Sequence, residues 1–410
     1  MTNALKPRDA KEVETVIQWA AAEGKALEVI GAGSKRGIGR PSQSDTTLDV
    51  SALSGVTLYE PEELVLSAKA GTPLAEIEAL VAAHSQELAF EPIDYGPLLG
   101  GSAGAATIGG AIAGNLSGPR RIKAGAARDH FLGVTAVSGR GETFKSGGRV
   151  VKNVTGYDLC KLLAGSWGTL AVMTDVTLKV LPRAETTETL LLLGLDDASA
   201  VQAMTLAMGS PCDISGAAHL HAVVAARMPV PDVASAGRAV TALRLEGVKP
   251  SVAHRRKALE ELMKPFGTLG HLASGESLGL WQAVRDVIPF AAASGGDRPV
   301  WRLSASPARG AEIGSRIAAE AGADVLYDWA GGLIWIALPP REDAGAALVR
   351  SALAAGGGGH ATLIRAPAAV RAAVDVFEPQ EEGVAALSRR VKDGFDPLRV
   401  LNAGRMWAGV

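Results

Sequence analysis

Phe90 to Asn115 reads FEPIDYGPLLGGSAGAATIGGAIAGN. Glycine, alanine and small hydroxyl residues dominate it, and Pro92 and Pro97 stiffen its start. Glycine lets a backbone approach a ligand closely and take conformations closed to other residues. The centre of the stretch, Ala106-Thr107-Ile108-Gly109-Gly110-Ala111, can present several consecutive N–H groups on one side, and such a nest binds anions. The small residues from Ala111 to Ala113 then offer a helix start aimed at a phosphate. Taken alone, T-I-G-G fits a tightly packed turn equally well.

Upstream, Lys11–Glu23 reads as an amphipathic helix with Val13, Val16, Ile17 and Ala20 on one face, ended by Gly24. Ala26–Ile30 is then a short strand, followed by Gly31-Ala32-Gly33-Ser34-Lys35-Arg36-Gly37. This is not the dinucleotide fingerprint: its third glycine falls one position late, and Ile38 to Ser42 is a loop where that motif needs a helix. A strand feeding a Gly/Ser loop can still wrap a pyrophosphate. Thr46–Val50 and Leu64–Ala70 are strands, and Gly71-Thr72-Pro73 opens a helix from Leu74 to His84.

Downstream, Gly118-Pro119-Arg120-Arg121-Ile122-Lys123-Ala124-Gly125-Ala126-Ala127-Arg128-Asp129 is basic and punctuated by glycine. It reads as a loop over a phosphate or as a solvated basic loop. Leu132–Val137 and Glu142–Lys145 form a hairpin. Lys152-Asn153-Val154-Thr155-Gly156-Tyr157-Asp158-Leu159 leads into a short helix ending at Leu163. Gly165-Ser166-Trp167-Gly168-Thr169-Leu170 then precedes a strand, Ala171–Leu181, closed by Pro182.

These motifs belong to a chain of 410 residues with 47% hydrophobic and 20% charged residues. That length suggests two or three domains. A net charge of −2 argues against a nucleic-acid surface. Two cysteines, Cys160 and Cys212, make neither a disulfide framework nor a metal site, which points to a reducing, cytoplasmic setting. The first residues are charged throughout and do not read as a signal peptide. No apolar run approaches the roughly 20 residues of a membrane span, so contact with the inner membrane would come through partners.

The order G-x-G-S, T-I-G-G, K-N-x-x-G-Y-D-L and G-S-W-G-T-L over residues 25–182 resembles the FAD-binding (PCMH-type) domain of the vanillyl-alcohol oxidase flavoprotein superfamily. Within it, the chain is similar to the FAD-binding E subunits of bacterial glycolate oxidases. The tail, Asp396-Pro397-Leu398-Arg399-Val400-Leu401-Asn402-Ala403-Gly404, resembles the superfamily's closing D-P-x-x-x-x-N-P-G segment, with Ala403 where the family has proline. The resemblance implies an α+β protein: a two-subdomain FAD-binding domain over 1–182, a second α+β domain over 183–375 with an antiparallel sheet backed by helices, and a segment over 376–410 returning to the first. It places Gly31, Ala32, Gly33, Ser34 and Lys35 at the pyrophosphate, held through backbone N–H groups with no dedicated lysine required. Thr107, Ile108, Gly109 and Gly110 fall near pyrophosphate and ribose. Gly165, Gly168, Thr169, Leu170 and Val172 run along the adenosine half. Pro92, Asn115, Gly118, Gly125, Arg128 and Asn402 complete the expected contacts. Covalent members tether the flavin to a histidine where this chain has Ser34, so the FAD is expected to be non-covalent.

From Arg183, strands (Thr189–Leu195, Ala239–Leu245, Trp301–Ser306, Leu333–Leu338) alternate with helices (Ala198–Met208, Ala253–Phe266, Leu278–Ile288, Ala311–Ala321, Ala344–Ala354). Oxidising a 2-hydroxy acid needs a cation for its carboxylate and a base for its hydroxyl, and arginine suits the first by its bidentate fork. Arg302, Arg365 and His360 are the candidates, although the glycines before His360 also fit an ordinary helix C-terminal turn. The superfamily's 2-hydroxy-acid catalysts resemble one another in an H-x-G-D-G-N-x-H motif, which this chain lacks. His219 and His221 are its only close histidine pair, and with nothing acidic near them in sequence no metal site is expected. Two readings stand. One is the FAD subunit of a glycolate oxidase, passing electrons to an iron–sulfur subunit and working beside a catalytic flavoprotein subunit. The other is a self-sufficient FAD-dependent oxidase or dehydrogenase of another 2-hydroxy acid or sugar alcohol.

Overall fold

Residues 3–149 and 156–410 are described by a computed structural model. Val150 to Thr155, which include Lys152 and Asn153 of the K-N-x-x-G-Y-D-L motif, lie outside them. Helix Ala10–Ala22 starts where Asp9 accepts the N–H of Glu12 and stops before Gly24, whose φ of 62° suits glycine. Val13, Ile17 and Ala20 bury its inner face against Leu27 and Leu48. Those two belong to a parallel three-stranded sheet in which Thr46–Asp49 lies between Asn3–Leu5 and Leu27–Ile30.

The second sheet is antiparallel, in the order Val56–Glu60, Val65–Lys69, Ala171–Lys179, Phe131–Ser138, Thr143–Gly147. One face is covered by helices Leu74–Ala82 and Ile108–Ala113, packing Leu74, Ile77, Ile108 and Ile112 onto Leu66, Ala68 and Val176. Val56–Glu60 escapes sequence reading because it is a half-exposed edge strand with little apolar alternation.

The third sheet has eight strands, all paired antiparallel: Thr268–Leu272, Thr186–Leu193, Val240–Gly247, Gly216–Leu220, Asp324–Asp328, Leu333–Ala337, Val300–Ser304 and His360–Arg365. Helices Asp197–Met208, Lys249–Met263 and Gly310–Ala321 back one face. The α+β class and the helix-backed antiparallel sheet agree with expectation. Helix Lys249–Met263 starts four residues before its expected Ala253, because Pro250 sits in the first turn, where a missing N–H costs nothing. Helix Ser274–Arg285 stops earlier than Ile288, where Pro289 tightens the chain into a 3-10 turn.

Buried ion pairs join the third sheet to the N-terminal half. Arg244, on strand Val240–Gly247, meets Glu91 at 2.8 Å; Arg120 meets Glu246 at 2.8 Å and Glu87 at 2.7 Å. Burial opposes ionisation of Glu91, but the two guanidiniums outweigh it and hold its carboxyl below the usual range. The chain ends back on the first sheet. Leu27 N–H donates to Val400 O at 2.7 Å, and Asn402 N–H donates to Leu27 O at 3.0 Å. Helix Glu382–Phe395 is fastened by Lys392, fully buried, whose Nζ donates to Thr169 O, Asp396 Oδ2 and Leu401 O.

Candidate cofactor cleft and substrate cavity

Strand Leu27–Ile30 runs out into Gly31–Lys35, and this loop forms one wall of a cleft of about 690 Å³ between the first two sheets. Val29, Val50, Val172 and Met173 make the cleft apolar on one side. Among the described residues no hydrogen bond within the protein uses the N–H groups of Ala32, Gly33, Ser34 or Lys35. Gly33 has φ of 75°, the left-handed region that makes such a concave run.

The T-I-G-G segment also lines the cleft, but differently from the expected nest. Ile108 N–H donates to Thr72 O at 3.0 Å and Gly109 N–H to Ala70 O at 2.8 Å. Gly110 N–H reaches Thr107 Oγ1 at 3.3 Å, the hydroxyl that caps helix Ile108–Ala113. These donors are already taken, so the anion-facing N–H groups are those of the first loop. The reason for glycine differs too. A Cβ on Gly109 would lie 2.7 Å from Ala70 O, in the packing under the helix, whereas one on Gly110 would meet the end of Lys35.

Lys35 corrects a second expectation. Its ammonium is buried in this cleft, bonded to Ser34 Oγ at 3.1 Å, and no carboxylate stands within 4.0 Å among the described residues. Burial lowers its pKa to about 8, with Asp94 opposing and Arg405 reinforcing the shift. Arg405 lines the same cleft; burial lowers it to about 10. Its guanidinium donates to Lys35 O at 2.9 Å and lies over the Trp167 ring. Two cations with no carboxylate within 4.0 Å, beside a run of N–H groups that no protein acceptor takes among the described residues, suit a dianionic ligand such as a pyrophosphate. Arg405 was missed in the sequence; its one signal is a cation two residues beyond Ala403 in the tail that returns to the first sheet.

Trp167 forms part of this cleft and also of a larger cavity, about 1820 Å³ and open to solvent, between the second and third sheets. Gly165 and Asn115 line the cavity, with Tyr95, Arg121 and Arg302. Arg302, Ser304, His360 and Thr362 share one face of a strand pair in which Arg302 opposes Thr362 and Ser304 opposes His360. Arg121 and Arg302 both lie over the Trp329 ring, at 4.3 and 5.1 Å. Neither has a carboxylate within 4.0 Å among the described residues. Tyr95 makes no side-chain hydrogen bond among the described residues, and burial pushes its pKa up to about 12. His360 is exposed at the rim.

Other expected contacts fall elsewhere. Gly168 lines the cleft, yet Thr169 and Leu170 turn into the core; Thr169 O accepts Lys392. Ile108 is likewise core. Asn402 is a buried brace: its Oδ1 accepts Val29 N–H at 2.8 Å, and its Nδ2 donates to Trp167 O at 2.8 Å. Gly118 is a packing glycine, its Cβ position 2.6 Å from Glu91 O. Pro92 lines a separate pocket near Asp286, and Gly125 another beside Asp129. Arg128 is exposed. Arg365 is removed from the substrate candidates. Its guanidinium donates to Arg298 O, Leu98 O and Phe290 O, and it borders neither space. His219 and His221 do have an acidic neighbour: Asp197, at 3.4 and 2.8 Å.

The comparisons agree with a flavin cleft. A family described as FAD binding domain matches residues 2–147. The glycolate oxidase subunit GlcE of Escherichia coli (strain K12) is 32% identical over 396 residues, spanning 96% of this chain and 95% of that protein. The glycolate oxidase subunit GlcD of Bacillus subtilis (strain 168) is 28% identical over 190 residues, 46% of this chain and 39% of that one. A solved p-cresol methylhydroxylase with substrate bound superposes with a TM-score of 0.72 at 14% identity, covering 98% of this chain and 88% of that chain, a likeness of fold. With the match to GlcE running nearly end to end, the chain carries an FAD-binding domain and belongs to the family of the glycolate oxidase subunit GlcE.

Proposed function

We propose that this chain is the FAD-binding subunit of a multi-subunit enzyme that oxidises glycolate, or a closely similar 2-hydroxy acid, to the 2-oxo acid. The observation that carries it is the meeting of the two spaces at Trp167: an anion-seeking cleft on one side and a cavity with unpaired arginines on the other. Lys35, Arg405 and the N–H groups of Ala32 to Lys35 hold the pyrophosphate, and the valine wall takes the apolar parts. Bound FAD supplies a two-electron acceptor for the carbinol C–H. No covalent tether is expected. Ser34 stands where covalent members carry the tethering histidine, and Cys160 and Cys212 are both buried, with the Cys160 thiol pushed up to about 11 by burial.

In the cavity, Arg302 and Arg121 bind the carboxylate and Tyr95 Oη adds a hydrogen bond. His360 sits diagonally across the strand pair from Arg302, about 7–8 Å along such a ladder, a span that suits a short hydroxy acid. Its ring has no hydrogen-bond partner among the described residues to orient it, so proton removal by this chain alone is weak. Nor do two separate buried cysteines make an iron–sulfur site, so electrons leave through a partner iron–sulfur subunit. No helix among the described residues is long and apolar enough to cross a membrane.

The furnished cavity favours a second reading, a chain that oxidises its own substrate with His360 as base. Co-purification separates the two. The first reading expects an iron–sulfur protein and a second flavoprotein to come with the native chain, and glycolate turnover only in that assembly. Full turnover by the chain alone overturns it.

A further inference from the structure

On the helix-backed face of the eight-stranded sheet, away from the flavin, three side chains converge. Arg302 and Arg244 occupy the face toward the N-terminal half, whereas His219, paired with Thr241 and Tyr327 in register, points to the opposite one. Asp197 stands in the first turn of helix Asp197–Met208, which packs on strand Gly216–Leu220. His221, just past that strand, turns back to it.

One nitrogen from each histidine and one oxygen of Asp197 lie within 4.8 Å of one another. His221 Nε2 is 2.8 Å and His219 Nε2 3.4 Å from the same oxygen, Asp197 Oδ1. The other oxygen, Oδ2, accepts the hydroxyls of Tyr327 and Ser315, each at 2.6 Å. The carboxylate is therefore held from behind while Oδ1 faces the imidazoles. Gly314 leaves room for this: a Cβ there would sit 2.1 Å from Tyr327 Oη. His219 is fully buried, and its Nδ1 contacts Thr241 Oγ1 at 2.8 Å. Its Nε2, aimed into the cluster with Asp197 Oδ1 at 3.4 Å, makes no well-formed hydrogen bond among the described residues. A buried polar atom without a partner is rare and asks for an occupant. An Nδ1–H donated to Thr241 leaves Nε2 with a lone pair, the tautomer of a metal-bound imidazole.

We propose that Asp197, His219 and His221 form a site for one zinc-type divalent cation, pinning the start of helix Asp197–Met208 to strand Gly216–Leu220. Two imidazoles and a carboxylate suit zinc and its transition-metal neighbours, not magnesium or calcium. Tetrahedral ligands about 2.0–2.1 Å from zinc lie about 3.3–3.4 Å from one another, so His219 Nε2 already stands at that spacing from Asp197 Oδ1, at 3.4 Å, and His221 Nε2, at 2.8 Å, has to move outward. For a neutral His221 the exchange asks that the Nε2 proton shared with Asp197 go to solvent while Nδ1 takes one up, so that the ring stays neutral with Nε2 open to the cation. A half-buried His221 gives the cation a route from solvent, and water can take the fourth position.

The test uses the full, FAD-loaded, tag-free chain, stripped by chelator and then given zinc or cobalt. About one equivalent should bind, cobalt should show the visible bands of a tetrahedral site, and zinc should raise the melting temperature. Magnesium should do neither. His221→Ala and Asp197→Asn should abolish binding with FAD content unchanged, while the surface control His254→Ala binds as wild type. Thr241→Val, which touches no metal, should weaken binding about 10–100-fold by losing the partner that sets the His219 tautomer. Failure to bind zinc, or equal binding by His221→Ala, overturns the proposal and leaves a hydrogen-bonded cluster in which His219 Nε2 carries a proton.

Discussion

Replacing Lys35 by methionine keeps the length of the side chain and removes a buried cation that has no carboxylate within 4.0 Å among the described residues. In the free protein that cation is unfavourable. The drop from the ordinary 10.5 to about 8, at 1.36 kcal/mol per pH unit, corresponds to about 3 kcal/mol. The folded pKa is depressed, so this penalty is fully present below pH 8. It is relieved as pH climbs from about 8 toward 10.5, where the folded state has lost a proton that the unfolded state keeps. Lys35→Met should therefore stabilise the FAD-free protein near pH 7 by up to about 3 kcal/mol, with a gain that shrinks above pH 8. FAD binding should move the other way. A charge-assisted hydrogen bond contributes about 1.5–3 kcal/mol, so the variant should bind FAD about 10–150-fold more weakly. Wild-type affinity should also fall above pH 8 as Lys35 deprotonates, and the variant's should not. Calorimetric FAD titration at pH 7 and 9 reads the affinities, and buffers of different ionisation heat reveal the proton taken up at pH 9. A Lys35→Met protein with wild-type affinity, no gain in apo stability and the same pH profile would refute this role.

Acid precipitation should release all the flavin into the supernatant; colour left in the pellet would mean a covalent bond. Gly110→Val should weaken FAD binding by displacing Lys35 while the apoprotein stays folded. Gly109→Val should instead lower thermal stability by about 1–3 kcal/mol, since its Cβ meets Ala70 rather than the cleft. Arg302→Met should keep FAD but weaken binding of glycolate or oxalate, read from perturbation of the flavin spectrum, by about 10–150-fold; an unchanged constant would move the carboxylate elsewhere.

What the sequence made legible was local. A strand running into Gly31–Lys35 marks a loop whose N–H groups stay unused by protein acceptors among the described residues, because those groups belong to consecutive residues. The T-I-G-G segment looks equivalent on paper, yet its donors go to Ala70 and Thr72, carbonyls fixed only once the second sheet has formed. Arg405 reaches the cleft, and Asn402 braces Val29 and Trp167 in its wall, because the tail docks beside Leu27, a contact across nearly the whole chain. Arg365 shows the same limit in reverse. Its neighbours on the strand face the cavity, but alternation turns Arg365 toward backbone carbonyls. Asp197, His219 and His221 could not be grouped from spacing, since helix Asp197–Met208 must pack on strand Gly216–Leu220 before the acid meets the pair.

Anaerobic addition of glycolate to the pure, FAD-loaded chain, with flavin absorption followed in time, tests the central claim most directly. The isolated chain should bleach slowly and only in part, and bleaching should become fast and complete once the partner subunits are restored. Rapid and complete bleaching by the chain alone, matching the assembled enzyme, would contradict the claim.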